Sequence, residues 1–88
     1  MKVSLILRAV TKQNAPLTLS YPLDCLLPED TKISLSIVGK EAEVDYTVFS
    51  PRANELRLFL KLVDGTNHIY NLGGEELTQF KLQGWKAL

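Results

Sequence analysis

Leu56, Leu58, Leu60 and Leu62 alternate with Arg57, Phe59 and Lys61, and the run stops at Asp64-Gly65. Successive side chains of a strand point to opposite faces, so this pattern predicts a half-buried strand that ends in a hairpin turn. The same alternation recurs along most of the chain and predicts seven short strands. Around Gly39-Lys40 a two-residue turn would set Ile37 opposite Ala42, Leu35 opposite Val44 and Ile33 opposite Tyr46, with Ser36, Ser34, Glu43 and Asp45 on the wet side.

At Asp64-Gly65 a three-residue loop joins apolar to apolar better than a two-residue one. It pairs Leu60 with His68, Leu58 with Tyr70 and Leu56 with Leu72, and it sets Phe59 across from Ile69 on the outer face. Placing Tyr46 against Leu58 and Val44 against Leu60 completes a four-stranded antiparallel meander over residues 32–72. An N-terminal hairpin brings Val3, Leu5 and Leu7 to Tyr21, Leu19 and Leu17 across a polar loop at Thr11 to Asn14, with Pro16 and Pro22 marking an edge or short strand. Thr78, Phe80 and Leu82 suggest a seventh strand, with a short helix from Glu75-Glu76-Leu77 as the alternative. The predicted fold is all-β: a small antiparallel barrel or two-layer β-sandwich of about seven short strands, with a central four-stranded meander.

Eighty-eight residues, 45% of them hydrophobic and 23% charged, make a single β domain spanning 1–88 with one core. The apolar runs are too short to cross a bilayer, so no membrane insertion is expected. Met1-Lys2 leads straight into strand-like residues, and Cys25 is the one cysteine; a cytoplasmic protein with a buried free thiol is the expectation.

Formal net charge is zero. Lys2, Arg8 and Lys12 lie in a first stretch without acids, whereas residues 24–64 carry an excess of Asp and Glu. This distribution offers no generous phosphate-neutralising footprint and disfavours nucleic acid as a partner.

Reactive chemistry is sparse. His68 is the one histidine, Cys25 has no adjacent base, and the paired acids Glu75-Glu76 and Glu29-Asp30 read as solvated loop residues. Gly73-Gly74 lacks the lysine and hydroxyl residue of a phosphate loop and reads as a tight turn. No catalytic residue, cofactor or metal site is assigned. Aromatic and arginine side chains ringed by polar ones suit a protein interface. The partner-binding candidates are therefore Arg57, Phe59, Lys61 and Ile69 on the outer face of the leucine strand, with Trp85 near the end of the chain. The competing and favoured expectation is internal packing, of that face under a second layer formed by the N-terminal hairpin and of Trp85 folded back over the core edge. The expected function is a non-catalytic protein-interaction module, an accessory or assembly subunit acting through a strand edge or sheet face on a protein partner or a second copy. A small-barrel nucleic-acid-binding protein is the alternative.

Overall fold

The computed structural model describes residues 1–35, 39–63 and 69–88. The chain runs β1 (Lys2–Val10), β2 (Pro16–Leu23), β3 (Lys32–Leu35), β4 (Lys40–Ser50), β5 (Glu55–Leu62), β6 (Tyr70–Asn71), α1 (Glu76–Leu82) and β7 (Lys86–Ala87). The strands form one curled sheet in the order β3-β4-β5-β1-β2-β7, with β6 beside the far end of β1. The protein is all-β, and its sheet curls into a half-barrel around one core.

The first hairpin joins Val3 to Leu23, Leu5 to Tyr21, Leu7 to Leu19 and Ala9 to Leu17. Its register lies two residues from the predicted one, so the same faces meet. The longer β1 leaves a tight turn, in which the Thr11 carbonyl accepts from the Asn14 amide and Asn14 takes a left-handed φ of 59°. Pro22 fits because the outer edge of β2 is covered only by Leu19 and Ser20 pairing with β7.

In the second hairpin Ile33 faces Ala42 and Leu35 faces Lys40, four residues from the predicted register, again an even step that keeps the faces. Ala42 thus meets Ile33 rather than Ile37, and Gly39, with φ of 64°, sits in the turn that precedes β4 rather than at its tip with Lys40. Residues 36–38 lie outside the described residues. The lane continues before β3: the Asp30 amide donates to the Val44 carbonyl, and the Val44 amide to that of Thr31.

Between β4 and β5 the expected pair Val44–Leu60 is present, but Asp45 then forms a bulge. The one-residue slip turns Tyr46 away from Leu58 to face Phe59, and Val48 away from Leu56 to face Arg57. The other neighbour of β5 is β1, running parallel, with Leu5 beside Leu58 and Ile6 beside Phe59. The predicted pairing of Tyr70 with Leu58 and of Leu72 with Leu56 is not formed: β6 continues the lane of β5 along β1, with Tyr70 beside Ala9. The meander therefore has three strands, and β1 occupies the predicted fourth position. The Asp64-Gly65 turn and His68 lie outside the described residues.

Residues 78–82, read as a seventh strand, belong to the short helix α1. Leu77 and Phe80 lie three apart on one helical face and turn inward, while Leu82 is 82% exposed, which a strand reading could not accommodate. Phe80 packs edge-on against Tyr70, at 6.1 Å and 74°, and against Trp85, at 5.7 Å and 85°. The chain reverses at Gly84, whose φ is 108°, and the Trp85 amide returns to the Phe80 carbonyl. These aromatics cover the inner face formed by Leu5, Leu7, Leu19, Val44, Leu58 and Leu60. No helix among the described residues is long and apolar enough to cross a membrane.

Candidate interaction face

The sheet's outer face begins from β1, where Ser4, Ile6 and Arg8 alternate with the inward Leu5, Leu7 and Ala9. Parallel pairing sets Ser4 beside Arg57 and Ile6 beside Phe59. The Asp45 bulge adds Tyr46 and Val48 from β4. Tyr46 stacks on Phe59 with ring centroids 4.9 Å apart and planes 9° from parallel, and the Arg8 guanidinium lies 5.6 Å from the Phe59 centroid. Offset stacking and a cation over a ring face are both attractive arrangements, so the three side chains form a preset platform. Its open side is Tyr46, 37% exposed, next to Val48 at 43%, while Phe59 and Arg8 are half-buried. The N-terminal hairpin, which could have formed a covering second layer, lies in the same sheet beside β5 instead.

Lys32, Arg57 and Lys61 on this face are paired. Lys61 Nζ lies 3.5 Å from Glu43 and 3.6 Å from Asp45, and Lys32 lies 3.6 Å from Glu43. Desolvation acts to lower the Lys61 pKa, but the attraction of Asp45 and Glu43 outweighs it and holds the pKa above the ordinary lysine value. At the other end Ser4 Oγ donates to Glu55 at 2.6 Å, and Arg57 Nε donates to the second carboxylate oxygen at 2.9 Å. The hydrogen bond from Ser4, then that from Arg57, holds the Glu55 carboxyl below its usual pKa. A carboxylate so stabilised is a weak base. The Ser4–Glu55 pair thus ties β1 to β5 rather than activating the hydroxyl.

Arg57, Phe59 and Lys61 share the face, as expected. Ile69 is exposed but precedes β6, away from the predicted position opposite Phe59. Trp85 stands apart, only 6% exposed and in contact with Tyr21 and Phe80. Cys25, expected to be buried, is exposed. Three participants were missed: Tyr46 and Val48 read as inward because the bulge reverses their faces, and Arg8 lay on a strand not expected beside β5.

Two further features have local explanations. Glu76, read as a solvated acid, is half-buried and accepts from the Tyr70 hydroxyl and the Gly73 amide. Burial, then the bond to Glu76, raises the Tyr70 pKa far above the usual phenol value. Gly73 belongs to a tight turn as predicted, and a Cβ there would fall 2.9 Å from Glu76 Oε1. Beside it lies an open cavity of about 180 Å³ between Lys12, Leu72, Gly74 and Leu77. It brings one ammonium group to apolar walls, while the Glu76 carboxylate is engaged by Tyr70 and Gly73. Comparison with protein-family models, with curated proteins and with solved structures gives no match to this chain.

Proposed function

We propose that this protein is a non-catalytic protein-interaction module that engages a protein partner, or a second copy of itself, through the outer face of its half-barrel. The observation that carries the reading is the Tyr46–Phe59 stack under Arg8, an ordered aromatic and arginine surface left open to solvent. Rigid aromatic rings and arginine supply contact area at small entropic cost, which is why they dominate protein interfaces. The face suits this role better than the sheet edge. The edge strand β3 has four described residues, and its Lys32 is tied to Glu43, a charged edge that resists strand addition.

The same stack could accept a nucleic-acid base, but Lys32, Arg57 and Lys61 on this face are engaged by Glu43, Asp45 and Glu55 rather than offered to a phosphate backbone. Benzoylphenylalanine placed at Val48 and, as a control, at the exposed Thr78 of α1 tests the proposal by photocrosslinking in native lysate. A defined protein adduct or a crosslinked dimer from position 48 and not from 78 is expected. Equal yields at both positions, or an adduct with nucleic acid, would overturn it.

A further inference from the structure

Within that reading, we infer that the platform takes a partner segment presenting a single carboxylate beside an aromatic or aliphatic side chain, with Arg8 as the carboxylate's receptor. The inference starts from the charge pattern. Lys32, Arg57 and Lys61 each have an acid within ion-pair distance, whereas Arg8 has none among the described residues. Its Nε is buried and lacks a hydrogen-bond partner, although a guanidinium carries five N–H donors. The buried Nε is closed to a ligand, so an incoming acceptor would meet the terminal Nη groups of this half-buried side chain.

The guanidinium carbon lies 5.6 Å from the Phe59 ring centroid, a cation–π contact that steadies the side chain beside the platform. The neighbours define the rest of the ligand. Tyr46 and Val48 supply exposed apolar surface at the side of the stack, where an aromatic or aliphatic group can lie. The ion pairs of Glu43, Asp45 and Glu55 flank the platform, so the Arg8 charge lies between neutralised groups. One acid flanked by apolar groups matches that field. A polyphosphate, with a charge at every repeat, would find the neighbouring cations already engaged.

The probes are acetyl-Phe-Glu-Phe-amide and its neutral isostere acetyl-Phe-Gln-Phe-amide, titrated into the full chain while the Arg8 guanidinium and the Tyr46 and Phe59 ring signals are followed by NMR. The glutamate peptide should bind about fivefold more tightly or better and shift all three groups. Arg8→Gln should equalise the two peptides, Arg8→Lys should retain part of the preference, and Lys81→Gln, on the exposed side of α1, should leave it intact. Amide dispersion in each variant confirms that it remains folded. Equal binding of the two peptides on these rings overturns the carboxylate inference while leaving a peptide-binding face in place. Shifts of the same rings by an oligothymidylate but by neither peptide overturn both readings, whereas a peptide response centred on Arg57 overturns the inference alone.

Discussion

Ser4→Ala removes one hydrogen bond from a carboxylate that the fold has covered, since Glu55 is only 8% exposed and its Oε2 lies 2.6 Å from Ser4 Oγ. Hydrogen bonds to ionised groups contribute about 1.5–3 kcal/mol. Arg57 continues to pair with Glu55 in the variant, and a serine hydroxyl adds little packing, so the lower part of that range applies, about 1.5–2 kcal/mol at neutral pH. For a domain of this size that lowers Tm by roughly 6–15 °C.

The effect must depend on pH. The folded-state pKa of Glu55 lies below its reference value of 4.5, so its stabilisation is fully present above pH 4.5 and is lost as pH falls through the lower folded value. Ser4 is the largest cause of that depression, and the deficit of Ser4→Ala should therefore shrink over the same interval. Urea unfolding at neutral pH and at about pH 3, followed by fluorescence of the buried Trp85, measures it. A deficit of the same size at both pH values, or none at neutral pH, refutes the hydroxyl–carboxylate bond as the source.

Leu58 is fully buried beside Leu5, so Leu58→Ala should cost about 2–5 kcal/mol of a total of roughly 4–13. Leu58→Asp should abolish the cooperative thermal transition seen by circular dichroism; a parent-like transition would place the core elsewhere. Gly73→Ala should displace the Glu76 carboxylate and cost about 1–2 kcal/mol, and distinctly less in a Tyr70→Phe background, where one of that carboxylate's bonds is already gone; equal costs in the two backgrounds count against the contact. The raised pKa of Tyr70 means that its stabilisation is present below its reference value of 10.0 and is lost as pH rises through the folded value. The stability gap between the parent and Tyr70→Phe should therefore narrow in strongly alkaline urea titrations, and a constant gap would contradict the placement of the phenol.

Alternation identified which residues face inward but not which strands meet. Register shifts of two at Val3–Leu23 and four at Ile33–Ala42 preserve the faces, so a test that matches apolar to apolar passes in either register. The single odd step among the described pairings, at Asp45, is the one that reverses faces, and a lone aspartate on the polar side of an alternating strand does not announce it. Pairing across long intervals is equally silent: Leu5 suits Leu58 as well as Tyr70 does, and nothing local to Ser4 announces Glu55, 51 residues away. In the helix, Leu77 and Phe80 carry the inward face, while Thr78, Phe80 and Leu82 mimic a strand by chance spacing. Of the interaction face, Arg57, Phe59 and Lys61 were legible from one strand alone. Tyr46, Val48 and Arg8 required the three-dimensional neighbours.

The parallel join between β1 and β5 also imposes an order of assembly. β1 can close on β2 through a short turn, but its other side has no partner until β4 has been passed and β5 has returned. Bringing together groups 51 residues apart incurs loop-closure entropy before any contact repays it, which places this chain among slower-folding small domains. Until then the apolar centre of the sheet, Leu5, Ile6 and Leu7, presents an unpaired edge to any other strand nearby. The segment that becomes the most protected part of the native protein is thus the segment most exposed to mispairing while it forms.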